Sequence, residues 1–335
     1  MELLKHLLSQ YPDATDLHIT ENETISLRVQ GQLVSSSVVM SSEDMHRLYM
    51  SLSDKKQRQW MEEGSCDASF SEETIRCRLH LYRTEGKMAA SLRILPSLAA
   101  IPSDPDPEWM DSIASLSDGL VLITGPSGSG KTTTLAHVIH IINSRRPCHI
   151  ITLEDPVEYH FTSSCALIHQ RSIGDDALDF PSAVSAAMRE DPDVIVIGEM
   201  RDRKTMAAAL TAAETGHLVL ATLHARSAPE AIGRMVHAFP KEEQGEMRAL
   251  MASVLRSSVS QRLFHLHRKA FLLREIMTVI PAVSHLIREE KEEQILSYME
   301  MGRHYMRTMK QAVRAYCHEH SLSSEEKDIL QQCVE

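Results

Sequence analysis

The sequence predicts an α/β protein in two parts, a small mixed module followed by a larger one built on a parallel sheet. Three observations carry that expectation. Past residue 113, apolar strand-like runs alternate with helical stretches, the order that lays helices on the faces of a parallel sheet. A proline-rich seam, "LRILPSLAAIPSDPDPEWM", interrupts the chain before that alternation begins. Finally, "GPSGSGKT" stands between a strand-like run and a helical one, the setting a phosphate-binding loop needs.

The elements follow in order. "MELLKHLLSQY" spaces Leu pairs around Lys5 and His6, which gives an amphipathic helix rather than a signal peptide. "DLHITENETISLRVQGQLVSSSVVM" alternates like strands and turns, with Gly31 at a turn. "EDMHRLYMSLSDKKQRQWMEE" has helical spacing, and "TIRCRLHLYRTEGKMAASLRILP" reads as a hairpin turning near Gly86. Residues 1–98 therefore form the first module. Pro96, Pro102, Pro105 and Pro107 oppose helix and favour an extended linker over 99–112. Within 113–335, "GLVLITG", "CHIITLEDP", "DVIVIG" and "HLVLATLH" are expected strands. "KTTTLAHVIHIIN" and "RKTMAAALTAAETG" are expected helices. The tail from Pro240 is expected to be almost all helical, with its charge clusters on solvated faces.

Composition excludes several classes. With 335 residues the chain is long enough for two cores, and 4% aromatics against 18 methionines makes those cores aliphatic and adaptable. A formal charge of −11, without interleaved basic and aromatic residues, disfavours nucleic acid as a partner. The six cysteines form no CxxC pair, so neither a zinc knuckle nor a redox motif is indicated. "HLH" at His265–His267 and "HEH" at His318–His320 lack a partnering constellation for a metal. No apolar run is long enough for a bilayer, and a cytoplasmic location is the expectation.

Gly125 to Thr132 fit the phosphate-loop pattern without exception: Gly125, Pro126, Ser127, Gly128, Ser129, Gly130, Lys131, Thr132, with Thr133 next on the helix. Glycines let the backbone curl so that N–H groups face phosphate oxygens, and the following helix adds its positive end. Lys131 would reach the β- and γ-phosphates, and the Thr132 hydroxyl would hold magnesium. ATP and Mg2+ are the implied ligands.

Three further boxes sit at strand ends. "ITLEDPVEY" brings Glu154, Asp155 and Glu158 to the C-terminal end of a strand, where open α/β sheets bind ligands. "GHLVLATLHA" places His217 and His224 at opposite ends of another strand, with His224 at the crevice end and so the better candidate for sensing the γ-phosphate. "DPDVIVIGEMRD" ends its strand in Gly198 where nucleotide hydrolases usually carry an Asp. Glu199 follows, able to orient the attacking water, take its proton, or reach the metal through water. Arg201 and Arg203 either answer developing phosphate charge or lie on the surface of the next helix. Asp193, at the strand's far end, is expected to be structural, and Gly198 to leave room for the nucleotide.

Taken together, the phosphate loop, the acidic box Glu154–Glu158, the strand Asp193–Glu199 and the histidine box Gly216–His224 resemble the signature of the secretion ATPases that power type II secretion and type IV pili. Among them the chain looks like the type IV pilus retraction ATPases, the PilT family. "GEMRD" is the retraction-type spelling, the four-cysteine zinc insertion of assembly ATPases is missing, and "AVSHLIREEKEEQ" is similar to the family's late "AIRNLIRE" motif. Ser284 and His285 depart from the Arg-Asn of that motif, "HYMRTMKQ" stands for "GMQTLDQ", and the early "GxPP" turn is missing.

The resemblance implies a hexamer of subunits, each with a PAS-like N-terminal domain and a RecA-like ATPase domain joined by a flexible linker. It implies that Arg78 and Arg93, with Arg76 as a third candidate, close on the γ-phosphate. It further implies an inner-membrane platform protein as partner, pilin as the indirect load, and a position at the inner face of the cytoplasmic membrane. The rival readings are an assembly or DNA-uptake ATPase, a nucleic-acid translocase on the same fold, and a regulatory subunit that binds ATP without turnover.

Overall fold

The computed structural model describes residues 2–29, 31–72, 75–95, 103–266, 269–320, 322, 326, 327 and 330. Pro96, Pro102 and His267 lie outside them. The chain divides into two compact units, Met1–Ile101 with Pro156–His160, and Pro102–Asp155 with Phe161–Glu335.

The N-terminal unit is a six-stranded antiparallel sheet with three helices. Helix α1 (Glu2–Gln10) precedes strands β1 (Ala14–Thr20), β2 (Thr24–Val29) and β3 (Gln32–Val39). Helices α2 (Ser42–Met50) and α3 (Asp54–Glu63) follow, then β4 (Ser65–Glu72), β5 (Ile75–Thr84) and β6 (Lys87–Leu95), in the order β3-β2-β1-β6-β5-β4. Its strands alternate as the sequence suggested. Leu17, Ile19, Ile25, Leu27, Leu79, Leu81 and Leu92 face one core with Leu7, Met45, Leu48 and Trp60 from the helices. The β5–β6 connection is a two-residue turn, Glu85 and Gly86, both left-handed at φ 48° and 79°, the twist that suits a tight hairpin.

In the C-terminal unit, helix α4 (Pro107–Ala114) starts inside the seam expected to be extended. Pro107 occupies its first turn, where a missing N–H costs no helical bond. Strand β7 (Gly119–Thr124), helix α5 (Lys131–Arg145), β8 (His149–Glu154), β9 (Leu167–Ser172), α6 (Phe180–Ala187), β10 (Val194–Ile197), α7 (Arg203–Glu214), β11 (Leu218–Leu223), α8 (Ala228–His237) and α9 (Lys241–Val254) then alternate. The helix expected to run on past Pro240 stops at Val254. A hairpin follows, β12 (Leu255–Leu266) and β13 (Lys269–Thr278), before α10 (Pro281–Arg288), α11 (Ile295–Glu300) and α12 (Met309–Glu319).

The seven strands lie in the order β13-β12-β7-β11-β10-β8-β9, all parallel but the edge strand β13. Alternate residues feed two cores. Leu120, Leu122, Ile195, Ile197, Val219 and Ala221 pack with α6 to α11, whereas Val121, Ile123, Val194, Val196, Leu218 and Leu220 pack with α4 and α5. A sheet covered on both faces needs apolar runs, hence the legibility of these strands in the sequence. The hydroxyls of β12 are satisfied internally: Ser257, Ser258 and Ser260 donate to the carbonyls of Met277, Ala228 and Arg226. That lets a polar-looking segment form a central strand.

Candidate nucleotide site

The C-terminal ends of four adjacent strands, β7, β11, β10 and β8, carry the four boxes in that spatial order. The phosphate loop leaves β7 at Gly125, His224 follows β11 by one residue, Glu199 follows Ile197 by two, and Glu154 closes β8. At about 4.8 Å per strand, Glu199 stands on the second strand from the loop and Glu154 on the third, about 14 Å away.

The loop is shaped for an anion. Gly125, Gly128 and Gly130 have φ of 144°, 74° and 86°, which only glycine adopts without strain. A Cβ on Gly125 would fall 2.4 Å from the Gln261 carbonyl oxygen and 2.7 Å from the Ser129 hydroxyl, so no larger residue fits. Ser129 is 2% exposed and its hydroxyl has no protein partner. In a glycine-rich loop at a strand end, such a buried hydroxyl is free to bond a ligand. Lys131 curls back to donate 3.0 Å hydrogen bonds to the carbonyls of Gly125 and Pro126. Burial pulls its ammonium below the ordinary value, with Glu199 opposing. The Thr132 hydroxyl, second residue of α5, would hold magnesium, whose chemistry here is to neutralise phosphate charge.

Glu199 is held on both oxygens. Arg201 reaches Oε2 at 2.7 Å, and His224 Nε2 lies 3.2 Å from Oε1. The Arg201 hydrogen bond, against burial and helped by charge from Arg201, His224 and Lys131, keeps the carboxyl below the usual glutamate value. Glu199 is thus an ionised group that can orient water at the end of β10. The two arginines part company. Arg203, the first residue of α7, lies 3.7 Å from Glu243 and over the Phe239 ring. Asp202 caps α7 by accepting from Thr205 N at 3.0 Å.

Glu154 accepts from the Thr152 hydroxyl at 2.7 Å and from Gln170 at 3.3 Å, which fixes its carboxylate at the outer end of the row. Asp193 accepts from His149 N at 2.8 Å, a strand-start brace far from the loop. Gly198 differs from expectation. Its hypothetical Cβ would meet the Leu153 carbonyl at 3.2 Å and Glu154 Cα at 3.3 Å, so the space it spares is taken by the end of β8. His217 stays at the opposite end of β11, 3.1 Å from the Thr215 hydroxyl. Arg78 and Arg93 are cross-strand neighbours on β5 and β6, and Arg93 donates to Asp16 at 2.9 Å. Ser284 donates to the Ala252 carbonyl at 2.6 Å, and His285 is exposed. Among the described residues, no group of three His, Cys, Asp or Glu could hold a metal, and no helix is long and apolar enough to cross a membrane.

The sequence reading missed a polar network behind the loop. Gln261 Nε2 donates to the Ser129 carbonyl at 2.7 Å, while its Oε1 accepts from Thr134 at 2.9 Å and Arg274 at 3.3 Å. Arg274, fully buried, also reaches Asp104 and Asp106, and Arg307 reaches Asp106 at 2.6 Å. A cavity of about 620 Å³ opens beside Gly130 and Thr133, walled by Leu263, Phe271 and Tyr316.

The family described as "Type II/IV secretion system protein" matches residues 2–330. The chain belongs to that family. It is 39% identical over 299 residues to a twitching motility protein of Neisseria gonorrhoeae, covering 87% of this chain and 80% of the relative. It is 37% identical over 294 residues to the type IV pilus retraction ATPase PilT of Pseudomonas aeruginosa, covering 86% of each. A crystal structure of the pilus retraction motor PilT with bound ADP superposes with a TM-score of 0.86 at 33% identity, over 97% of this chain and 96% of that one.

Proposed function

We propose that this protein is an ATP-hydrolysing motor for type IV pilus retraction. One observation carries the reading. Four adjacent parallel strands present the phosphate loop, His224, Glu199 and Glu154 in a row, in a chain similar to retraction ATPases over most of its length. In this reading the loop and Lys131 hold the phosphates, Thr132 holds magnesium, Glu199 orients the attacking water, and His224 senses the γ-phosphate through Glu199. Glu154 supplies the outer carboxylate. The purine fits the cavity beside Thr133, where Phe271 and Tyr316 offer apolar walls.

The reading assigns residues 1–98 to the PAS-like domain, 99–112 to the linker and 113–335 to the RecA-like motor. It gives Arg78 and Arg93 the charge that answers the γ-phosphate. It makes the protein a homohexamer at the inner face of the cytoplasmic membrane, acting through a platform protein on pilin, with no nucleic-acid partner. Gain and loss of γ-phosphate contacts would then drive domain rotation.

Counting surface pili on a deletion strain tests it. A retraction motor predicts surplus pili and lost twitching, restored by the wild-type gene and not by Lys131→Ala. A strain without pili would instead assign assembly.

A further inference from the structure

Gln261 and Arg274 stand directly opposite each other on β12 and β13, both fully buried. Neither belongs to a recognised nucleotide box. A glutamine and an arginine sealed from water need hydrogen-bond partners: all five Arg274 N–H groups have one, and Gln261 is bonded through both its oxygen and its nitrogen. The Arg274 guanidinium donates to Gln261, to Thr134 at 2.8 Å, to both oxygens of Asp104 at 2.5 and 2.7 Å, and to Asp106 at 3.0 Å. Gln261 is held so firmly that its carboxamide has one orientation: Oε1 toward Thr134 and Arg274, Nε2 toward the phosphate loop.

That orientation acts on one peptide plane. Nε2 donates to the Ser129 carbonyl at 2.7 Å. In a trans peptide the carbonyl and the following N–H point in opposite directions. Anchoring the Ser129 oxygen toward β12 therefore turns the Gly130 N–H away from β12, as a phosphate-cradling donor must be turned. Gly130 sits at φ 86°, where the loop has no side chain to enforce the same choice.

We propose that Gln261 is a positioning residue for the phosphate loop. It locks the Ser129–Gly130 peptide so that Gly130 donates to the bound nucleotide, and Arg274 fixes Gln261 to Asp104 and Asp106. Those two aspartates lie within the proline seam, between Pro102 and Pro107. The C-terminal part of the seam and the phosphate loop are thereby joined through two buried side chains. The proposal rests on ATP binding at the loop and does not depend on whether the motor retracts or assembles pili.

Gln261→Glu separates positioning from packing. The variant is isosteric and keeps an acceptor for Thr134 and Arg274. Its second oxygen, however, faces the Ser129 carbonyl with no hydrogen to offer. A lost donor felt equally by bound substrate and transition state raises KM and leaves kcat. With the full chain and a fluorescent ADP probe, we expect the ADP Kd and the ATP KM to rise about tenfold or more. kcat should change less than about threefold, and because the variant buries a charge against a carbonyl the melting midpoint without nucleotide should fall, so Kd and KM are read well below it. Asp104→Asn should weaken ADP in the same direction, and the double variant should fall short of the product of the two effects. Wild-type Kd and KM in Gln261→Glu overturn the proposal, as does strict additivity with Asp104→Asn. If Gln261→Glu does not fold, Asp104→Asn alone is read: weakened ADP supports the proposal and unchanged ADP overturns it. Failure of the wild-type chain to bind ADP would overturn the ATPase reading itself, a result distinct from these.

Discussion

Replacing Glu199 with Gln removes one charge from the end of β10 and changes almost nothing else. The cost to stability is bounded by the ion pair it breaks. Glu199 is 23% exposed and Arg201 70% exposed, so solvent screening holds that pair to about 0.2–1 kcal/mol. The cost to chemistry is far larger. A group that orients or deprotonates the attacking water is worth about 10²–10⁴ in rate, or about 3–5 kcal/mol of barrier. Binding should survive, because the proposed reading gives the phosphate contacts to the loop and Lys131, and loss of a carboxylate near a triphosphate removes a repulsion. Glu199→Gln should therefore bind ATP at least as tightly as the wild type and release phosphate more than about a hundredfold more slowly. Its melting midpoint should be nearly unchanged. Phosphate release at saturating ATP, nucleotide titration and thermal melting on the same preparation check all three. Turnover within about tenfold of wild type would refute the assignment of Glu199 to the attacking water.

Two further outcomes follow from the geometry. The Arg201 hydrogen bond is the chief influence holding the Glu199 carboxyl below its ordinary value, so Arg201→Gln should move the acid limb of the kcat/KM profile to higher pH. The sign is that of a depressed carboxylate: the pairing contributes fully above the unfolded pKa and is lost as pH falls through the folded one, so the two proteins should also differ less in stability under acid. An unmoved acid limb would show that Arg201 does not control this group. Gly198→Val should cost about 1–3 kcal/mol by crowding the end of β8, read as a lowered melting midpoint, and an unchanged midpoint would refute that crowding.

The legibility of this protein followed burial. Strands β7, β10 and β11 could be read directly because a parallel sheet covered on both faces needs runs such as "VIVI" and "LVLATL". Strand β12 could not, since "SSVSQRL" shows the polarity of a solvated helix. Its serines are buried because carbonyls of Met277, Ala228 and Arg226 receive their hydroxyls, and Gln261 because Ser129 and Thr134, more than a hundred positions earlier, pair with it. The same holds for Arg274, whose partner Asp104 is 170 positions earlier. Glycines and a lysine at fixed spacing announce a phosphate loop, while the side chains that brace it from behind leave no local pattern. Met200 shows the converse. It reads as a retraction-type spelling, yet it is 2% exposed in the core cluster beneath the sheet, where Met and Ile both fill space.

The position of the carboxylate after β10 has a packing cause. Strand β10 pairs with β8 in parallel, Ile197 beside Leu153, and the Gly198 N–H donates to the Leu153 carbonyl at 2.8 Å. Any Cβ at 198 would press on that carbonyl at 3.2 Å and on Glu154 Cα at 3.3 Å, so an aspartate there would need the end of β8 to give way slightly. Glu154 occupies the place beside it, with its own carboxylate tied to Thr152 and Gln170. The acid stands instead one residue later, on the longer side chain of Glu199, where Arg201 and His224 hold it from two sides. The Thr222 hydroxyl donates to the Gly198 carbonyl from β11, which fixes the turn that aims Glu199. In the proposed reading, one carboxylate at the end of β8 and one after β10 would divide between two adjacent strands the duty a single strand-end aspartate performs elsewhere.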